Sequence, residues 1–255
     1  MRSSLAASKR NRWTAWQLRL VNAELPGGIK MRTPNGHIAM LLLCAITMTG
    51  AAHAGTPPAS RIGISAGMGV NYLTQRDLVD MINGGYSPGK RVDEFHAAVD
   101  FFGSVVVPLS ADWALRAEFA YLLNTYNITS LLGPGEFTTV LHMPSLIVEY
   151  ILVDEELYDV SGGLGGGYHV GVLNLKYSTI DDSYTANGAG MVMMLNGNTA
   201  LGEDLFVHLA VSARWEFLGE LRNANDRSPG KGAGGDAVKL GSFGVGARIG
   251  VSYYL

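Results

Sequence analysis

The chain has 255 residues, a formal charge of −3, one cysteine and 33 glycines. So nearly balanced a charge offers no basic face to nucleic acid or to an anionic membrane surface, and a single cysteine excludes a disulfide framework. Frequent aromatic and β-branched residues set among glycines speak for sheet and against a helical protein.

In chain order, residues 1–30 are basic and show no evident fold. Met31 makes a natural start, so this piece reads as an over-extended translation or as a long leader. From Met31 the pattern predicts a secretory signal peptide. Arg32 supplies the positive start, Ile38 to Met48 the apolar stretch, and Ala52-His53-Ala54 the small residues at −3 and −1. Cleavage after Ala54 divides the chain into an extension and signal, 1–54, and an exported domain, 55–255. The apolar run is shorter than the roughly 20 residues that span a bilayer as a helix. Cys44 lies inside it behind Leu41-Leu42-Leu43, where a lipid-anchor site needs small residues, and leaves with the signal.

Beyond the signal, period-two alternation recurs. It predicts strands over Arg61–Tyr72, Glu94–Val107, Asp112–Leu123, Thr138–Val153, Tyr158–Val172, Gly188–Leu201, Asp204–Phe217 and Gly241–Leu255. The links alternate in length. Short ones fall at 108–111, 154–157 and 202–203, and long ones at 73–93, 124–137, 173–187 and 218–240. A helical turn is expected near Arg76–Ile82. Eight strands with short turns on one side and long loops on the other predict an all-β, antiparallel, up-and-down transmembrane barrel in the bacterial outer membrane.

Strand parity predicts which face meets lipid. Trp113, Leu115, Ala117, Phe119 and Tyr121 share one face of the third strand, against Ala114, Arg116, Glu118 and Ala120. The seventh sets Leu205 to Phe217 at odd positions against His208, Ser212, Arg214 and Glu216. A lysine or arginine in lipid at midplane costs about 2–4 kcal/mol, so the charged face is the inner one. Asp100, Arg116, Glu118, Glu149, Asp159, His169, His208, Arg214, Glu216 and Arg248 fall inside, and His142 outside near a loop end. The glycine-rich inner set leaves little bulk for a packed core, which separates this reading from a soluble lipocalin-like barrel. Trp113, Tyr150, Tyr158, Trp215 and Tyr253 are candidate girdle residues. Pro144 implies a bulge or bend in the fourth strand.

The chain ends on Gly246-Ala-Arg-Ile-Gly-Val-Ser-Tyr-Tyr-Leu255, with Ile249, Val251, Tyr253 and Leu255 alternating on one face. In architecture and in this terminal piece it resembles the OmpA/OmpX-type small outer-membrane β-barrels. The piece is similar to the signal by which the barrel assembly machinery recognises its clients, which usually closes on an aromatic residue where this chain has Leu255. The resemblance implies a passive integral barrel in outer-membrane lipid, with surface loops that contact an unspecified ligand. No further domain is expected after the last strand.

The inner charges are the candidate site. Asp100, Arg116, Glu118, Glu149, His208, Arg214 and Arg248 are expected to pair into a network that fills the lumen, since unpaired buried charges are costly. The alternative is a narrow ion path, although an eight-stranded interior is barely wide enough for side chains. Catalysis and cofactors are not expected. The weakest alternative is a lipid A-modifying enzyme. His208, Ser212 and Glu216 share a strand face, but residues four apart on a strand stand about 13 Å apart, too far for a triad. The Gly162–Gly167 run lacks phosphate-loop spacing and suits glycines that make room inside the barrel or relieve curvature. Leu78, Met81, Ile82, Leu131 and Leu132 in the long links read as packing over the barrel mouth, with a partner-binding surface as the other reading.

Overall fold

Alternation of apolar and polar residues along eight segments forces each into a strand with two unlike faces, and no strand leaves an edge unpaired. The structure, a computed structural model, describes residues 61–86, 91–93, 95–130, 133–230 and 236–255. The expected signal peptide, its cleavage site at Ala52 and Ala54, the 54/55 boundary, Leu131 and Leu132 lie outside the described residues.

Among them, β1 (Gly63–Thr74), β2 (Phe95–Pro108), β3 (Trp113–Ser130), β4 (Gly133–Glu155), β5 (Tyr158–Tyr177), β6 (Ile180–Ala200), β7 (Leu205–Leu218) and β8 (Ser242–Tyr254) pair in sequence order. Antiparallel pairing of β1 with β8, from Gly63↔Tyr254 to Thr74↔Phe243, closes the ring. Arg61 clasps that seam, with Nη2 donating to Asp204 Oδ1 at 2.5 Å and to the Tyr254 carbonyl at 2.8 Å.

Two of the expected long links are mostly strand. β3 runs on to Ser130 and β4 starts at Gly133, so the predicted loop 124–137 is the upper half of a hairpin. Likewise β5 reaches Tyr177 and β6 begins at Ile180, leaving Ser178 with φ 54° at the turn. The reason is a change of solvent. Within lipid the outward face is apolar, whereas beyond lipid it meets water and turns polar. Asn127, Thr129 and Glu136 therefore point outward, while Tyr126, Ile128 and Phe137 are buried inside. Polar residues of this kind read as loop when strand is sought by its lipid-facing stripe.

The other two long links keep their character. The expected helical turn is α1 (Arg76–Met81), continued by a π-helical turn over Ile82–Tyr86. The described residues of the link after β7, 219–230 and 236–241, are irregular, joined to their surroundings by the isolated bridges Thr185↔Arg222 and Glu220↔Lys239.

Pro144 does not shift the register as expected. The β4–β5 ladder runs up to Leu146↔Gly166, lapses over Met143–Ser145, and resumes at His142↔Val170 in the same register. The bulge lies instead between Ile151 and Val153. At Gly167 a side chain is impossible, because a Cβ there would come 1.8 Å from the Pro144 carbonyl oxygen.

Candidate functional site: the lumen and the projecting wall

The outer surface is built first. Phe119, Leu146, Leu164, Met193, Val211, Ile249 and Val251 all face outward and are exposed. Tyr158 and Tyr168 on β5, and Phe243 and Tyr253 on β8, stand ten positions apart on this face. Ten residues cover about 33 Å of strand, which a tilt near 40° reduces to about 25 Å, the height of an outer-membrane barrel's apolar band. Trp113 packs on Tyr150 (ring centroids 5.0 Å apart) at the short-turn end, and Trp215 on Phe243 (5.3 Å) at the other. His142, the outward ionisable residue, sits beside Tyr121 at 5.3 Å, at the upper girdle. Ile249, Val251, Tyr253 and Leu255 occupy the same lipid face.

The wall is uneven in height. β1, β2, β7 and β8 have 12, 14, 14 and 13 residues, whereas β3 to β6 have 18, 23, 20 and 21. Crossing a membrane as strand takes about 9–11 residues. The two central hairpins therefore rise beyond the bilayer as a four-stranded wall on the long-loop side.

Inside, the lower lumen is polar and ionic. Arg116 Nε donates to Glu149 Oε1 at 2.6 Å, and its Nη1 to Ser104 Oγ at 2.7 Å. Asn196 Nδ2 donates to the same Glu149 oxygen at 2.7 Å. Glu118 Oε1 accepts from Arg214 Nη2 at 2.5 Å and from Arg248 Nη1 at 2.9 Å, while Arg248 Nε donates to Asp100 Oδ2 at 2.6 Å. The Arg248 guanidinium also lies 4.9 Å from the Phe102 ring centre.

Six of the seven charges singled out in the sequence thus fall into two ion-paired groups. The seventh, His208, stands apart, with Nδ1 2.9 Å from Asn198 Oδ1 and its ring 5.4 Å from Phe102. Below it, Asn198 Nδ2 donates to Asp159 Oδ1 at 2.8 Å, and Phe206 packs edge-on to Tyr254 near the short-turn mouth.

The upper lumen overturns the expectation of an interior without bulk. Leu73, Leu122, Tyr126, Phe137, Leu141, Met143, Leu173, Leu175, Leu218 and Leu240 form one buried apolar cluster. α1 enters it with Leu78, Val79 and Met81, and the π turn adds Ile82. Leu78, Met81 and Ile82 therefore pack over the mouth, the preferred reading of the sequence. Tyr86 fastens the plug, its ring edge-on to Phe137 and Tyr177 at 5.1 Å each and its hydroxyl donating to the Pro229 carbonyl at 3.0 Å. Burial, and then the neighbouring Tyr177, raise the pKa of this hydroxyl above its ordinary value.

Between the two layers lies a contact that no stretch of sequence displays. His169 on β5 meets Glu216 on β7 through Nδ1 and Oε2, and His169 Nε2 lies 3.1 Å from Ser145 Oγ on β4. The intervening strand makes this possible, since a Cβ at Gly190 of β6 would stand 2.1 Å from His169 Nδ1. Ser145 carried no signal in the sequence; only the inward parity of His169 and Glu216 marked two of the three. The strand-bound set considered there is split, for Glu216 serves His169 while His208 serves Asn198. Among the described residues no cluster of His, Cys, Asp and Glu is arranged to hold a metal ion.

A closed ring of eight strands, a lipid-height apolar band outside and ion pairs within define an integral β-barrel with the fold of small bacterial outer-membrane proteins. No family model matches the chain, and no curated protein does. Among solved structures it is similar to the attachment invasion locus protein Ail of Yersinia pestis, in complex with the heparin analogue sucrose octasulfate, at 12% identity and TM-score 0.41, covering 76% of this chain and 98% of that one. It is also similar to Neisserial surface protein A, at 12% identity and TM-score 0.46 over 76% of this chain and 97% of the other. OprG from Pseudomonas aeruginosa matches at 13% identity and TM-score 0.40, over 80% and 98%.

Proposed function

We propose that this outer-membrane barrel is a closed scaffold that presents a binding wall to the cell exterior, its ligand a molecule outside the cell. The observation that carries this reading is the pairing of a filled lumen with an extended rim. Ion pairs occupy the lower interior, an apolar plug occupies the upper, and β3 to β6 continue past the membrane with polar outward residues. A conducting pore needs a continuous aqueous path, which the plug interrupts. The network of Asp100, Arg116, Glu118, Glu149, Arg214 and Arg248 serves in this reading to fill and brace the cylinder. The alternating apolar face of Ile249, Val251, Tyr253 and Leu255 suits docking on the barrel assembly machinery during insertion, before lipid covers it.

The test uses outer-membrane vesicles carrying the protein, probed against an array of glycans and extracellular proteins. The comparison is a variant whose β3–β4 and β5–β6 hairpins are cut back to the upper girdle. The expected result is binding to particular array members that the shortened variant loses while remaining a heat-modifiable barrel. Equal binding by both proteins, or discrete planar-bilayer conductance in the unaltered protein, overturns the reading.

A further inference from the structure

Above the upper girdle the outward face of β4, β5 and β6 is concave. Glu136, Thr138, Asn174, Lys176, Asp181 and Ser183, with Asp182 beside them, surround a cavity of 380 Å³. Small-ligand pockets have volumes of this order but are mostly apolar, whereas no apolar side chain lines this one. A ligand held here is therefore hydrophilic.

The strand register arranges the lining in two rows. Glu136, Lys176 and Asp181 stand side by side across the three strands, and Thr138, Asn174 and Ser183 stand side by side one pleat below. Strands about 4.8 Å apart make each row about 10 Å wide and put the rows about 7 Å apart. Opposite charges directly across a sheet ordinarily reach each other, yet Lys176 forms an ion pair with neither Glu136 nor Asp181. Asn174, Asp181 and Ser183 likewise have no side-chain partner among the described residues. Glu136 is held from below. Thr138 Oγ1 donates to its Oε1 at 3.1 Å, and Thr125 Oγ1, 3.1 Å away, donates in turn to Thr138.

These groups differ in what they offer a ligand. Glu136 and Asp181 only accept hydrogen bonds, Lys176 only donates, and Asn174 and Ser183 do both. An anion in the upper row meets two carboxylates, and a cation meets the ammonium between them. A hydroxyl satisfies both kinds, since its oxygen accepts from Lys176 while its proton goes to a carboxylate. Peptide strands are read through pockets for alternate side chains, and a lining without apolar groups supplies none. We infer that this cavity binds a neutral saccharide of a glycan outside the cell, neighbouring hydroxyls bridging Lys176 to Asp181 and Glu136. The inference rests on the reading of β3 to β6 as a binding wall and names the class of its ligand. Without an aromatic ring to stack on, one site holds its sugar weakly, and many copies in one membrane raise the avidity.

The full chain is refolded into phospholipid vesicles free of glycolipid and titrated with neutral hexose and N-acetylhexosamine disaccharides, and with an amino and a sulfated disaccharide. Saturation-transfer NMR reads the binding. The expected result is a neutral disaccharide bound in preference to both charged ones. Its affinity should fall at least tenfold in Lys176→Met and in Asp181→Asn. It should be unchanged in Thr129→Ala, exposed on the same wall but outside the cavity, and all three variants should keep heat-modifiable mobility. Binding of charged disaccharides alone, neutral binding equal in the three variants, or no saccharide binding overturns the inference. Lipopolysaccharide added to the vesicles should leave the affinity unchanged; a loss would assign the cavity to the membrane's own sugars and overturn an outside ligand. The wall reading fails separately, when array binding survives shortening of the hairpins.

Discussion

Tyr121 and Tyr126 lie five residues apart on β3 and face opposite sides of the barrel wall. Tyr121 packs beside His142 on the outside, while Tyr126 is buried in the apolar cluster beneath the plug. Between them the outward face passes from lipid to water, and the apolar stripe moves from outside to inside. The same strand is thus inside-out below the girdle and an ordinary half-buried strand above it.

This inversion gives β3 a depth-dependent tolerance for charge. Lysine at Phe119, outward and below the girdle, should cost about 2–4 kcal/mol, whereas lysine at Asn127, outward and above it, should cost under about 0.5 kcal/mol. Urea titration of the barrel in lipid vesicles measures both. Equal costs would contradict the placement of the membrane.

Glu118 holds two arginines by one oxygen. Glu118→Gln leaves Arg214 without its carboxylate and Arg248 with Asp100 alone, so destabilisation of about 3–5 kcal/mol is expected. The Arg116–Glu149 pair allows a cleaner comparison. Glu149→Leu alone strands a guanidinium, while Glu149→Leu with Arg116→Met removes both charges, so the double variant should be the more stable of the two in the same titration.

Leu78 is fully buried on α1, a helix of six residues whose Gln75 N-cap makes no side-chain capping bond. A helix so short holds its place by packing. Leu78→Ala should cost about 2–5 kcal/mol at the plug. Leu78→Asp should release α1, so that trypsin cleaves faster after the already exposed Arg76 while the strands stay protected. Cleavage at Arg76 at the unaltered rate would show that the plug is held elsewhere.

Gly190 predicts a coupled effect. Alanine there places a methyl group on the line between His169 and Glu216, and such overpacking costs about 1–3 kcal/mol. The His169 ring must move, so the imidazole proton signals, followed by NMR of histidine-labelled protein, should shift for His169 and stay fixed for His142. Unmoved His169 signals would mean that the contact does not depend on that glycine.

The sequence discloses the ring, its eight strands and the inward set of charges because lipid imposes one rule on every outward residue within its thickness. The strand extensions 124–130 and 180–187 escape that rule: Asn127, Thr129, Asp181 and Ser183 face water, so their composition is that of loops. The apolar upper core is hidden for the same reason, since Phe137, Leu173 and Leu175 lie in segments whose parity reverses. Pairings across the lumen, such as Arg214 with Glu118 or His169 with Glu216, depend on which strands face each other and at what stagger. No single strand contains that information, and Ser145 has meaning only once β4, β5 and β7 are in place.

The most direct measurement places a nitroxide at each position from 113 to 129 of β3 in turn and compares its collisions with oxygen and with a water-soluble nickel complex in vesicles. Odd positions from Leu115 to Tyr121 should meet oxygen, odd positions from Thr125 to Thr129 should meet nickel, and Arg116, Glu118 and Tyr126 should be shielded from both. Oxygen reaching Arg116 and Glu118, or lipid contact persisting unchanged to Thr129, would contradict a wall that turns its apolar side from lipid to lumen at the girdle.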